Sequence, residues 1–278
     1  MVTGAPKRLS RIVSLASAMT LGLAAIMPTS TMAAAYASPQ PPASHWITST
    51  NYRYPGNDGK HHAVSWDKYS YMIDDHHLNI WSGEVHYWRL PSPHQWRDVL
   101  QKMKAAGFNA VSFYFFWGYH QSAPDSPFDF SGIRNIDLLL RMAAEEGLYV
   151  IARPGPYINA EISMGGMPAW QTNSSLPLRN AWDNTNWQQQ RAWLHAVNKI
   201  IARHQVTNGG GSVLLYQVEN EELASVGPYA DYVKKIIKAA KEDGINVPIF
   251  HNDYAPVGNW AFTTKDTGLD VYLSLIHI

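Results

Sequence analysis

The sequence predicts an α/β fold of the (β/α)8 (TIM-barrel) class, opened after about strand six and preceded by a signal peptide. Three observations carry this. Short apolar runs alternate with amphipathic helical stretches from residue 80 onward. That rhythm implies right-handed βαβ units and a parallel sheet. The apolar runs end abruptly in carboxylates, amides and aromatics, and a barrel places its chemistry at the C-terminal ends of its strands. No Gly-rich phosphate loop follows any run, which weakens the competing open doubly wound sheet.

The elements follow in order. Val64–Asp67 and Tyr69–Ile73 alternate like strands, with Asp74-Asp75 as the turn of a small hairpin. Ile80–Val85 reads as strand one. Pro93–Ala106 reads as a helix with Trp96, Val99, Leu100 and Met103 on one face, ended by Gly107. Ala110–Phe115 is strand two, Asn135–Glu146 a helix stopped by Gly147, and Leu148–Ala152 strand three. Asn186–His204 is a long amphipathic helix. The run Val213–Val218 follows a Gly-rich turn at Gly209, Gly210 and Gly211 and fits a buried parallel strand. Tyr229–Asp243 is a helix, Val247–His251 strand five, and Leu269–Tyr272 the start of strand six.

The N-terminus has its own pattern. Lys7, Arg8 and Arg11 precede a mostly apolar stretch, Ile12–Met27, and Ala35-Tyr36-Ala37 is a cleavage signal, with Thr31-Met32-Ala33 a second possibility. Residues 1–37 read as a secretory signal peptide; a retained anchor is the alternative. Residues 38–63 form a Pro-rich lead-in, 64–272 the catalytic barrel, incomplete, and 273–278 a tail that reads as non-native. Zero formal net charge argues against an electrostatically driven nucleic-acid partner, and with no Cys there is no disulfide. After cleavage no further segment is long enough to span a bilayer.

The strand ends suggest the chemistry. Strand one ends in Gly83-Glu84-Val85-His86-Tyr87 and strand two in Tyr114-Phe115-Phe116-Trp117. Strand three leads to Tyr157-Ile158-Asn159-Ala160-Glu161, strand four ends in Asn220-Glu221, and strand five in His251-Asn252-Asp253. Paired carboxylates suit glycoside hydrolysis: one donates a proton to the leaving oxygen and the other attacks or stabilises the anomeric carbon. Amides grip sugar hydroxyls, and aromatic rings cover the apolar sugar face. A metal site is the rival use of these carboxylates. The pairs His61-His62 and His76-His77, however, lie outside the strand ends.

Longer motifs narrow this further. Ser82–Pro91 (SGEVHYWRLP), Trp96-Arg97-Asp98 with Lys102–Asn109, Arg153–Glu161 (RPGPYINAE), Gly165–Trp170 (GGMPAW) and Gln217–Glu221 (QVENE) together resemble the glycoside hydrolase family 35 β-galactosidases, from about Val64 to Tyr272. Two details depart from the common pattern: Glu222-Leu223 stands where the family often has an aromatic and Gly, and Val85 and Trp88 are variants. The resemblance implies the N-terminal part of a secreted, bacterial, retaining β-galactosidase. It implies Glu221 as general acid/base, Asn220 as the amide on the sugar 2-hydroxyl, and Asn159, Glu161, the backbone of Ala160 and Tyr114 as galactose contacts. Glu84 and Glu219 are expected as supporting carboxylates, and Trp170 with Gly165-Gly166 as shaping the loop over the pocket. The nucleophile is expected at strand seven, beyond Ile278, so the chain alone is expected to be inactive. Partners are β-galactoside oligosaccharides or polysaccharide side chains, and no cofactor is called for. An inactive fragment or sugar-binding remnant, or another retaining barrel glycosidase such as an exo-β-glucosaminidase, is the alternative.

Overall fold

Two hairpin turns open the fold. Strands β1 (Val64–Trp66), β2 (Tyr71–Ile73) and β3 (His76–Leu78) form a small antiparallel sheet in that order. Asp67 shapes the first turn by accepting the backbone N–H groups of Tyr69 and Ser70. Asp74 and Asp75, at φ 50° and 63°, make the second, since a two-residue hairpin needs both central residues left-handed. The hairpin expected at Asp74-Asp75 is therefore present, with a third strand that the sequence reading did not separate.

The structure, a computed structural model, describes residues 58–173, 178–222, 227–252 and 267–272. The expected signal peptide, most of the lead-in, Asp253 and the expected tail lie outside the described residues.

The second sheet carries the site. Its elements are β4 (Ser82–Glu84), α1 (Pro93–Ala105), β5 (Ala110–Tyr114), α2 (Trp117–His120), α3 (Ile136–Glu145), β6 (Tyr149–Arg153), α4 (Asn184–Ile201), β7 (Val213–Gln217), α5 (Gly227–Glu242), β8 (Ile249–His251) and β9 (Val271–Tyr272). The six strands β4 to β9 pair in parallel, each beside its sequence neighbour. A doubly wound sheet would reverse its strand order at a switch point; this one does not, so the barrel layout holds for the described strands. All five residues of β5 and of β7 are buried, as in a parallel sheet covered on both faces.

The helices start where short polar side chains cap them. Ser92 accepts from Gln95 N before α1, Asn135 from Leu138 N before α3, and Asp183 from Asn186 N before α4. Gly107, at φ +94°, lets the chain leave α1. Trp96 and Leu100 turn inward as expected and are wholly buried, while Val99 and Met103 pack partly against them. Gly210 is required for a different reason: a Cβ there would fall 2.1 Å from the Arg203 carbonyl oxygen. The structure adds what periodicity could not show, namely α2 and short 3-10 turns at Tyr87–Arg89, Ser163–Gly166 and Ala169–Asn173. Three to five residues are too few to display a helical period. Among the described residues, no helix is long and apolar enough to cross a membrane.

Candidate active site

Parallel strands put Glu84, Tyr114, Arg153, Gln217 and His251 at the same edge of the sheet, each the last residue of its strand. Arg153 sits at the centre. It donates from Nη1 to Glu84 Oε2 at 3.1 Å and from Nη2 to Asn220 Oδ1 at 3.0 Å. Its guanidinium lies 3.9 Å from the centroid of the Tyr114 ring. Glu84 is further held by His86 Nε2, 2.9 Å from its Oε1. Partial burial disfavours the charge on Glu84, but the His86 hydrogen bond and the Arg153 charge outweigh it and hold the carboxyl below its usual range. Glu84 is thus a fixed anion, not a proton donor. Tyr114 goes the other way: burial pushes its phenol above the ordinary value, so it is neutral and can donate.

The turn after β7 is the densest part. Asn220 accepts at Oδ1 from Arg153 and, at 3.3 Å, from Gln217 Nε2. Its oxygen is therefore engaged, and its NH2 is the end available to a ligand. Gln217 Nε2 also donates to Glu219 O at 2.7 Å and to Asn252 Oδ1 at 2.6 Å. Glu219 is buried, and its Oε2 accepts from Asn220 N at 2.5 Å. Glu221 is half-buried, and its N–H donates to Asn252 O at 2.9 Å. Glu219 and Glu221 both have positive φ, 58° and 56°, at a cost of about 1–2 kcal/mol each. Such strain gathers at functional sites. Below the turn, the ring nitrogens of buried His251 lie 2.8 and 2.9 Å from the carbonyl oxygens of Val218 and Glu222.

The loop after β6 is bent the same way. Asn159, Ala160 and Glu161 are left-handed in succession, at φ 56°, 51° and 48°. Ala160 packs with Tyr114 and Ile158, and its carbonyl accepts from Arg89 Nη2 at 2.9 Å. Asn159 is half-buried and Glu161 exposed. Beside them His86 stacks on Trp88 with centroids 4.7 Å apart. Gly165 sits under the loop, and its carbonyl oxygen accepts from Ile158 N–H at 2.8 Å. Trp170 packs edge-on against Trp117 at the start of α2, centroids 5.7 Å apart.

Part of the expected set comes together. Glu84, Tyr114 and Asn220 meet through Arg153, Ala160 packs on Tyr114, and Glu221 follows Asn220 on the same turn. Sequence reasoning missed Arg153 as the hub, although it opens a quoted motif. It also missed Gln217 as the group that orients Asn220. The signal was available: a charged and an amide side chain at the ends of apolar strands need partners. Among the described residues, no group of three or more His, Asp or Glu is placed to hold a metal. His62 is bound instead by Asp58 and Asp74.

Residues 70–274 match the model of the Glycosyl hydrolases family 35. The chain belongs to glycoside hydrolase family 35. It is 47% identical over 217 residues to the probable beta-galactosidase C of Aspergillus clavatus, covering 76% of this chain and 22% of that one. It is 41% identical over 228 residues to the same-named protein of Aspergillus oryzae, covering 80% and 23%. The chain thus spans about a fifth of the length of these curated relatives. Both are fungal and give no support to the bacterial source expected above. Among solved structures, a GH5_18 protein from Streptomyces cattleya in complex with GlcNAc matches at TM-score 0.53 and 18% identity, over 68% of this chain and 48% of that one. An exo-beta-1,4-mannosidase from Opitutaceae bacterium strain TAV5 matches at 0.53 and 14%, over 70% and 38%. At such identities the likeness establishes the fold, an α/β barrel of the glycosidase kind.

Proposed function

We propose that the whole protein is an exported, retaining β-galactosidase that removes terminal non-reducing β-D-galactose from oligosaccharides or polysaccharide side chains. The observation that carries this reading is the Asn220-Glu221 pair: an amide whose oxygen is locked by Arg153 and Gln217, beside a half-buried carboxyl on a strained turn. Glu221 enters the reaction protonated and donates to the leaving oxygen. A second carboxylate, from a later strand end, attacks the anomeric carbon from about 5 Å away and forms a galactosyl-enzyme. Glu221 then takes a proton from water, which releases galactose with its configuration retained. Asn220 donates its NH2 to the sugar 2-hydroxyl, a contact that strengthens as charge develops. Tyr114, Asn159, Glu161 and the backbone of Ala160 engage the remaining hydroxyls. Glu84, kept anionic by Arg153 and His86, holds this framework in place. The basic start, the apolar stretch and Ala35-Tyr36-Ala37 support export with a mature N-terminus at Ser38.

The test is the Glu221→Gln variant of the full-length protein. Lactose cleavage should collapse, while an aryl galactoside with a good leaving group, which needs little protonation, should keep its first step. Azide should then restore part of its turnover as galactosyl azide. Equal loss on both substrates, with no azide product, would remove Glu221 from this role; a faster aryl glucoside than galactoside would overturn the substrate. N-terminal sequencing of secreted material should begin at Ser38, and soluble protein retaining Met1 would contradict export.

A further inference from the structure

Arg89 ends the short turn Tyr87–Arg89 that follows β4, and that turn is anchored in the core. Tyr87 is wholly buried, and its hydroxyl meets His120 Nε2 at 2.6 Å. Its carbonyl accepts from Trp96 Nε1 and from Leu90 N, each at 3.1 Å. Trp88, the middle residue, packs against Tyr114, Ile158 and Ala160. From this fixed base the Arg89 side chain crosses to the loop after β6. Its Nη2 donates to the Ala160 carbonyl at 2.9 Å and lies 3.5 Å from the Glu161 carbonyl.

Both carbonyls belong to the run Asn159-Ala160-Glu161, which is left-handed at three residues in succession. Residues with a Cβ avoid that region, and they persist in it only where the surroundings over-determine them. Part of the hold is internal. Ile158 N–H donates to the Gly165 carbonyl at 2.8 Å, and Ile162 N–H to the Asn159 carbonyl at 3.2 Å. Arg89 adds a charged donor at the middle of the run, from a different strand end. The run also lies against the site. Ala160 packs on Tyr114, whose phenol is kept above its ordinary value by burial chiefly, with the Glu84 and Glu161 charges adding to it against that of Arg153. Tyr114 in turn faces the Arg153 guanidinium that engages Asn220.

We propose that Arg89 is a positioning residue for substrate selectivity: it pins the Asn159–Glu161 run in its left-handed shape and so sets how that run meets the sugar hydroxyls other than the 2-hydroxyl. This rests on the galactose contacts proposed above for Asn159, Glu161 and the backbone of Ala160. Without the guanidinium the run loses a charge-assisted donor and relaxes toward ordinary backbone angles. Its contacts to the sugar are then misplaced, and a shift of about 1 Å can cost on the order of 100-fold in rate. Asn220 and Glu221, on a separate turn, keep their places.

The experiment measures kcat/KM for the full-length protein with Arg89→Met, Arg89→Lys, Asn159→Ala, and Arg89→Met combined with Asn159→Ala. The substrates are an aryl β-galactoside and its 2-, 3-, 4- and 6-deoxy analogues. Arg89→Met should lose roughly 10- to 100-fold on the parent sugar. It should lose as much on the 2-deoxy analogue, and clearly less on the 3-, 4- or 6-deoxy analogue that Asn159→Ala also spares. Arg89→Lys keeps a charged donor but not the fork, so it should recover part of the loss with the same selectivity. The double variant should lose less than the product of the two single losses, because one residue acts through the other. Wild-type rates in Arg89→Met, a loss spread evenly over all five substrates, or multiplicative losses in the double variant would overturn the proposal while leaving the sugar contacts of the run intact. Wild-type rates in Asn159→Ala would instead overturn that contact, and this proposal with it. Should Arg89→Met not fold, Arg89→Lys decides: a selective partial loss supports positioning, and an even loss or none refutes it.

Discussion

Asn220 does more than its size suggests because its two ends have been assigned different tasks. Arg153 and Gln217 take the oxygen, and the nitrogen is left to donate. This argues for a specific coupling rather than a general loss. In full-length protein, Asn220→Ala should lower kcat/KM for an aryl galactoside by about 100- to 1,000-fold, the range for removal of a preorganised donor. The same substitution should cost far less on the matching 2-deoxygalactoside, which lacks the hydroxyl that the amide engages. The difference between the two losses, read as a double-mutant cycle, isolates the contact from the inherent reactivity of the deoxy sugar. Equal losses on both substrates would place the amide elsewhere. At this scale the sequence was legible where chemistry sits next to a strand end, as with Tyr114, Asn220 and Glu221. It was not legible where function comes from a partner far along the chain. Arg153 reaches Asn220 across 67 positions and Arg89 reaches Ala160 across 71, and no local pattern encodes such a pairing.

Elements came through more completely, for a physical reason. Parallel strands are buried on both faces and read as short apolar runs; α1, α3 and α4 begin at capping side chains, and α1, α3 and α5 end near a Gly. Those signals placed every βα unit within a few residues. What they omit is how the helices are fastened to one another. Asp243, just past α5, gathers four donors from α4: Arg191 Nη1 and Nη2 at 2.8 Å each, Asn198 Nδ2 at 3.0 Å, and His195 Nδ1 at 2.6 Å. Burial disfavours its charge, yet the hydrogen bonds from Arg191, His195 and Asn198 outweigh that and hold its carboxyl below the usual range. Asp243→Asn should cost about 2–3 kcal/mol, less than the 3–5 of a fully buried pair because Arg191 is 27% exposed. The pH dependence has a definite sign. A depressed folded-state pKa contributes stability above the unfolded value of about 3.9, and that contribution fades as pH falls below it toward the folded value. The gap in melting temperature between wild type and Asp243→Asn should therefore be constant near neutrality and shrink below about pH 4. A gap that persists unchanged into acid would mean that the carboxylate charge is not what ties α5 to α4.

For the whole molecule, strand order sets the prediction. β4 and β9 each have one described neighbour, whereas a closed barrel leaves no strand with a free edge. A cavity of about 460 Å³ lies between the antiparallel sheet, at Trp66, Tyr71 and Leu78, and the apolar residues Ile151, Leu215 and Val271 of the parallel sheet. Unpaired edges recruit other strands, and apolar surface left wet forfeits about 25 cal/mol per Å². Net folding stability is only about 5–15 kcal/mol, so a seam of a few hundred Å² is enough to exhaust it. Residues 58–272, produced as a segment on their own, should therefore aggregate or bind a hydrophobic dye, melt without a cooperative transition, and leave an aryl galactoside intact, since the proposed mechanism needs a second carboxylate opposite Glu221. A protein carrying all eight strands should reverse each of these outcomes. If the segment instead proves monomeric by sedimentation, melts cooperatively and turns over the galactoside, then closure by further strands is unnecessary, and a carboxylate within the segment, with Glu84 and Glu161 the first to replace, must act as the nucleophile.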